Sequence, residues 1–443
     1  MKSRIAAAVL GATLLLSASG CNFLELDLED ALRPPKTMGD EAEIEQLIAG
    51  SARGGYTLKY PKNGNYRSAI IMQDLDGDGT AEAVAFFRGR DETTRLHMLV
   101  MYENDGEWKI SGDFVTETTD VDCVDFAKVT GSERLDILAG YTTYSPSVNF
   151  LACYAYHDGE TMSVSAGQSY TAFYCGSIDH SDRSEVITFS VYNADNEAKA
   201  TMLEYNADKR ALYAKSSVAM DPGVVKIRQA SFGEMSGGVR GIAVDGANAT
   251  GELNTQVIYY NSELAVLRNP LYREKTKNPT QRTIDVFAVD INNDKTIDIP
   301  TVEKLPFADA DAVQYTADKV TRNNFDTAHE TLVRISDYAL DMAYNFSIKI
   351  PDAWENGTYT AQLEGNSMRF FEWDNDSVGK LIFDIRAFDV ATWDQGKEND
   401  GYTLIYRDNR YAYALHNNTD EDSAFALSDN EIKTSFSLLS DAG

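Results

Sequence analysis

Positive charge is scarce in this chain: 40 Lys and Arg stand against 69 Asp and Glu, for a formal net charge of −29. No Lys/Arg cluster offsets that field, which excludes a phosphate backbone as partner. Cysteine is rare, at four residues, and the five histidines (His97, His157, His180, His329, His416) are scattered, so a zinc centre of Cys and His ligands has no spacing to rest on. There is no Gly-x-Ser-x-Gly elbow, no glycine-rich phosphate loop and no His-Glu-x-x-His, so no nucleophile and base can be paired from motifs. After the amino terminus no run approaches the about 18 apolar residues of a membrane span. What is present is a hydrophobic fraction of 43% in 443 residues, enough for real cores in two to three domains.

Lys2 and Arg4 precede an apolar run from Ile5 to Leu16 and then Ser17-Ala18-Ser19-Gly20-Cys21. That run is too short to span and has the flanks of a secretory signal. Gly20-Cys21 resembles a bacterial lipobox, with Ala18 where a larger aliphatic residue is usual; an ordinary signal peptide cut nearby is the other reading. The resemblance implies lipidation of Cys21, a membrane anchor and an extracytoplasmic protein. Residues 22–53 read as an acidic tether, ending in Pro34-Pro35, and a short helix from Gly39 to Ile48.

The most informative stretch is Asp74-Leu75-Asp76-Gly77-Asp78-Gly79-Thr80-Ala81-Glu82, with a degenerate copy at Asp290-Ile291-Asn292-Asn293-Asp294-Lys295-Thr296-Ile297-Asp298. Oxygen-bearing side chains recur at relative positions 1, 3, 5 and 9, as a hard cation requires of one tight loop. In the first loop Asp74, Asp76 and Asp78 supply carboxylates, Thr80 a carbonyl and Glu82 a direct or water-mediated ligand. Asp290, Asn292, Asp294, Thr296 and Asp298 take the same places in the second, with Lys295 intruding. Four close carboxylates repel one another without a cation. Oxygen ligands select Ca2+ in a structural role, and the competing reading is an Asp/Gly turn closed by its own backbone hydrogen bonds.

From Tyr66 to about Leu305, short β-like runs alternate with Gly, Asp and Asn turns. Aliphatic strands follow polar turns at reference positions Glu82, Asp136, Glu185 and Arg240, separated by 54, 49 and 55 residues. Tyr102, Tyr156, Tyr205 and Tyr260, each before a tight turn, keep the same 54, 49 and 55. Two landmarks sharing one irregular spacing predict repeated four-stranded units, and the expected fold is mainly β, with a β-propeller-like repeat domain over 54–325. A small α+β domain is expected over 326–443, with strands at Glu330 to Ile335 and Asp341 to Ile350. A helical turn is expected at Val390 to Gln395, and a final helix capped by Ser428 and Glu431 with Ile432, Phe436 and Leu439 as its stripe.

The Asp74 to Gly79 ladder followed by Glu82-Ala83-Val84 resembles the FG-GAP and VCBS-type repeats of bacterial surface proteins and integrin-like propellers, in which such loops commonly hold calcium. With Arg33-Pro34-Pro35 and Tyr66 to Ile70 ahead of it, the arrangement looks like uncharacterised lipoproteins of clostridial-type gut bacteria. The Phe346 to Trp354 segment is similar to a small α+β domain of those same lipoproteins. Departures are clear: Gly131-Ser132-Glu133 replaces the ladder in the second unit, the third has Asp179, Asp182 and Glu185 in looser order, and Glu234 to Gly238 offers almost no ligands.

Outside the membrane Cys123 and Cys175 can pair as a disulfide, since both lie in equivalent leading strands, or remain buried thiols. Trp354, Trp373 and Trp393 are candidates for stacking on a ligand, with burial in a core as the alternative. These features predict a surface-anchored binding or structural module with calcium-stabilised β repeats, held at the membrane by its lipid and facing a cell-wall glycan or protein. The alternative is a glycoside hydrolase or another polysaccharide-acting enzyme, which requires two carboxylates about 5 to 9 Å apart in a concave site.

Overall fold

The computed structural model describes residues 40–143, 148–179, 181–192, 197–309, 311–374, 376–396, 399–420 and 422–439. The expected signal sequence, Cys21 and the acidic tether lie outside them. The first element is helix α1 (Asp40–Ser51), whose Ile44 and Ile48 are buried while Asp40, Glu41 and Glu43 occupy the first turn, where the helix dipole favours acids. It covers the first sheet, which consists of β1 (Tyr56–Leu58), β2 (Ile70–Gln73), β3 (Glu82–Gly89), β4 (Arg95–Asn104) and β5 (Glu107–Glu117).

A second sheet holds β6 (Val121–Ala127), β7 (Asp136–Thr142), β8 (Asn149–His157), β9 (Glu160–Tyr170), β10 (Ala172–Gly176), β11 (Glu185–Ser190), β12 (Lys199–Asn206) and β13 (Ala211–Ala219). The third consists of β14 (Val224–Glu234), β15 (Arg240–Asn248), β16 (Leu253–Asn261) and β17 (Val266–Arg268). The fourth is built from β18 (Ile299–Lys304), β19 (Asp318–Asp326), β20 (Thr331–Asp341) and β21 (Phe346–Ile350). The fifth contains β22 (Tyr359–Glu364), β23 (Ser367–Asp374), β24 (Ser377–Asp389), β25 (Thr403–Arg407) and β26 (Tyr411–Asn417), with helix α2 (Val390–Gln395) after β24. Helix α3 (Asp429–Ser435) then leads into β27 (Phe436–Leu438), which pairs with β21 and closes the edge of the fourth sheet.

Alternation along single strands explains how these sheets share cores. In β3, Val84 and Phe86 enter one cluster while Ala83, Ala85 and Phe87 enter another beneath α1. In β7, Ile137, Ala139 and Tyr141 join the cluster of Val84, whereas Leu138 faces the interior of the second sheet. Strand β11 repeats this, with Val186 on one side and Ile187 and Phe189 on the other. Such strands read as continuous apolar runs because both faces are buried, and the period-two pleat divides them between neighbouring cores.

The spacing read from sequence survives as strand register: Glu82, Asp136, Glu185 and Arg240 are the first residues of β3, β7, β11 and β15. The propeller-like repeat architecture expected from it does not, and the FG-GAP and VCBS-type layout falls with it. The sheets are unequal, with five, eight, four, five and five strands. The second and third units, which the spacing divides, are one sheet: β13 runs parallel to β9 at Ala211 and Ser165, where the Ser165 N–H donates to the Arg210 carbonyl at 3.1 Å. Its outer strands β6 and β10 lie against each other, so it nearly closes into a barrel around Val164, Leu151 and Leu203. A separate blade needs free edges; here an edge bond that no local pattern encodes joins two units. The fourth sheet also runs across residue 325, with β19 paired to both β18 and β20.

In the C-terminal part, Ser428 and Glu431 form the expected capping box, but Phe436 leaves the helix for β27 and stacks on Phe346 at 5.5 Å. Trp354 is 6% exposed, packed on Tyr359, Phe370, Phe383 and Phe425, and belongs to the main core of this region rather than to a ligand groove.

Candidate metal centre

The chain enters the Asp74 loop from β2 and leaves it into β3, two paired antiparallel strands that fix both ends. Between them the side chains wrap the backbone. Asp74 accepts from the Gly77 N–H at 2.7 Å through Oδ1 and from the Gly79 N–H at 3.0 Å through Oδ2. Asp76 accepts from the Asp78 N–H at 3.2 Å, and Asp78 from the Thr80 N–H at 2.6 Å. Gly77 at φ +80° and Gly79 at φ +91° take left-handed backbone that these bonds require and that a Cβ would strain. One oxygen each from Asp74, Asp76 and Asp78 lies within 4.8 Å of the others. The result is an acidic cluster able to coordinate a metal ion, with oxygen donors that fit calcium without singling it out.

Glu82 sits apart from that trio. It is 3% exposed and its Oε2 accepts from the Leu75 N–H at 2.8 Å, which closes the loop from below. Burial, together with the charges of Asp76 and Asp78, raises its pKa to about 6 despite that bond. Tyr156 reaches across from β8 toward Glu82, and the phenol, desolvated and beside Glu82 and Asp76, is held firmly protonated. An uncharged donor from the neighbouring sheet therefore meets the acidic loop.

The second loop repeats the wrapping with different chemistry. Asp290 accepts from the N–H groups of Asp294 at 3.1 Å and Lys295 at 2.7 Å, and Asp294 from Thr296 at 2.7 Å. Asn293 at φ +59° and Lys295 at φ +73° occupy the left-handed places of Gly77 and Gly79. Asn292 turns its amide nitrogen toward Asp294, donating to Oδ2 at 2.9 Å, so a side-chain donor sits where a cation would. These bonds hold the Asp294 carboxyl below its usual range. Asp298 is buried like Glu82 and accepts from the Ile291 N–H at 3.1 Å.

Sequence reading missed what these acids have in common. Asp136 accepts from the Val129 N–H at 2.9 Å, and Glu185 from the Ile178 N–H at 2.8 Å, each reaching seven residues back as Glu82 and Asp298 do. The signal was available: Leu75, Val129 and Ile178 keep the 54 and 49 spacing of the acids themselves. Asp136 and Glu185 lack the Asp ladder, so the buried acid is a loop-closing device first. Burial, with Asp179 beside it, raises Glu185 to about 7. Hydrogen bonds from Ser181 and Glu185, with Lys215 nearby, hold Asp179 low against its own desolvation.

Cys123 and Cys175, expected as a disulfide or as buried thiols, are free thiols in the structure, as is Cys153. Cys123 lies 3.6 Å from an Asp122 oxygen, Cys175 is close to Asp125, and burial raises all three thiols. Trp393 packs on Phe388 at 5.4 Å in a small cluster of its own, and Trp373 is half-buried in β23, so with Trp354 in the core the three tryptophans do not converge. Among the described residues no helix is long and apolar enough to cross a membrane.

No family model matches this sequence, and no curated protein matches it. Among solved structures the chain is similar to Sqt1 of Saccharomyces cerevisiae at 8% identity and a TM-score of 0.34, over 72% of this chain and 75% of that one. It is also similar to a protein from Lactobacillus plantarum at 11% identity and a TM-score of 0.28, over 72% of this chain and 84% of the other. Likenesses at those scores carry no argument about fold or activity.

Proposed function

We propose that the chain is an extracytoplasmic binding or structural module, anchored through a lipid on Cys21, whose first sheet is stiffened by a calcium ion in the loop from Asp74 to Glu82. The observation that carries this reading is the convergence of Asp74, Asp76 and Asp78 oxygens within 4.8 Å on a backbone already wrapped around them. Three carboxylates held that close without a counter-charge cost stability, and a divalent ion reverses the sign of that term. The ion holds the β2–β3 corner; it activates no water. Lys2 and Arg4 ahead of the apolar run Ile5 to Leu16, ending in Gly20-Cys21, support the anchor, and the outward partner of such a module is a cell-wall glycan or protein.

The test is calorimetric titration of calcium into chelator-stripped protein beginning at Asn22, with thermal melts in parallel. Saturable binding and a higher melting temperature are expected, both lost in Asp76→Ala/Asp78→Ala. Absent heat with an unchanged melt would reduce the loop to an Asp/Gly turn.

A further inference from the structure

A cavity of about 600 Å³ opens where the third, fourth and fifth sheets meet, far in sequence from the Asp74 loop. That volume is within the range of small-molecule sites. Its lining is more apolar than polar, with Phe287, Val320 and Leu340 from β19 and β20, and Phe436 and Leu438 from the C-terminal strand. Set among them is Arg322. Its side chain is 6% exposed, and Nη1 donates to the Phe287 carbonyl at 2.7 Å. Among the described residues no carboxylate forms an ion pair with it; Asp298 and Asp245 attract it without contact, and Arg282 repels it. Arg282 is already taken, bound to Asp245 in a pair with both side chains fully buried.

A guanidinium has five N–H donors and a planar fork suited to a carboxylate. A guanidinium buried against a single carbonyl, with no carboxylate in contact, keeps donors available to an incoming anion, which would offset part of the cost of burying the charge. Asp285, which also lines the cavity, does not fill that role, because it pairs at 3.1 Å with Arg228. Arg228 in turn lies over the ring of the lining residue Phe287 at 5.7 Å.

We infer that this cavity binds a monocarboxylate with an apolar body, the carboxylate on Arg322 and the body between Phe287, Leu340 and Phe436. The apolar part of the lining supplies affinity by removing the body from water, and the buried cation selects the acid over a neutral or cationic analogue. The protein's net charge of −29 opposes approach of any anion, so recognition has to come from the pocket itself. Added salt screens that long-range repulsion more than the buried contact.

The experiment uses the chain from Asn22 onward and titrates decanoate, decanol and decylammonium separately, with and without calcium. Decanoate is expected to bind one to one and at least tenfold more tightly than either analogue. Arg322→Gln should bring decanoate down to the level of decanol. Because Arg322 is buried, that variant is checked by thermal melting, and Met342→Trp provides an independent arm: Met342 is 44% exposed and lines the cavity, so a larger side chain there should weaken both decanoate and decanol while the fold is kept. Equal binding of acid and alcohol, no saturable binding, or wild-type affinity in Met342→Trp would overturn the inference. Loss of the calcium response alone would leave this result unaffected, because the Asp74 loop belongs to a different sheet.

Discussion

The loops at 74–82 and 290–298 have one backbone path and two electrostatic solutions. In both, the first Asp gathers two N–H groups, the fifth residue caps the seventh, and a buried acid closes the base. In the first, the three side chains facing one another are all carboxylates, with glycine at both left-handed positions. In the second, one carboxylate is replaced by an amide that donates to its neighbour, and a lysine takes a left-handed position. The wrapping is therefore a property of the loop, whereas the capacity to coordinate a cation comes from the charge count inside it.

The largest expected effect comes from emptying the first loop. At calcium one hundred times the dissociation constant, one site adds about 2.7 kcal/mol to stability. Asp76→Ala/Asp78→Ala should abolish that gain, while the matching Asn292→Ala/Asp294→Ala leaves the calcium-induced rise in melting temperature intact. Equal losses in the two variants would erase the distinction between the loops.

A second, smaller effect isolates the buried acid from the ladder. Glu185 closes a loop that has no ladder, and its folded pKa of about 7 lies above the ordinary 4.5. The folded state therefore holds the proton that the unfolded state releases: this stabilisation is full below about 4.5 and is lost as pH rises through about 7. Glu185→Gln keeps an acceptor for the Ile178 N–H and removes the titration. Its melting temperature should match wild type at pH 4 and exceed it at pH 8, by about 2 kcal/mol in stability after allowance for the altered bond to Asp179. A constant difference across that range would show that burial of the acid is not what sets the pH dependence.

Much of this was legible in the chain. The oxygen ladder, the left-handed glycines, the reference positions and the capping box at Ser428 are local patterns, and the structure places each where its spacing puts it. What the spacing could not carry is how edges pair. One contact between Ala211 and Ser165 fuses two units into an eight-stranded sheet, and β27 travels from the C-terminus to the edge of β21. Such pairings depend on residues distant in sequence whose side chains have no distinguishing pattern. The Arg322 cavity was invisible for the same reason, since its walls come from the loop at Phe287, strands β19 and β20, and the last strand.

The smallest and most discriminating change converts the second loop into the first. Asn292→Asp restores the third carboxylate and removes the donor to Asp294; Lys295→Gly restores the glycine of position 79 and relieves a left-handed side chain, worth about 1 kcal/mol. Without calcium the two changes nearly cancel, because the new repulsion opposes the released strain. With calcium they do not: the titration should move from one site to two, and the melting temperature should rise further than in wild type. Asn292→Asp alone should gain weaker binding, since Lys295 keeps its positive charge beside the site. If the double variant still binds a single ion, charge count is insufficient, and binding at the Asp74 loop depends on something the second loop lacks. The nearest such feature is Tyr156, whose hydroxyl reaches Glu82 from the next sheet. Tyr156→Phe then becomes the deciding measurement: lost calcium affinity in that variant would assign the difference to the neighbouring sheet rather than to the loop.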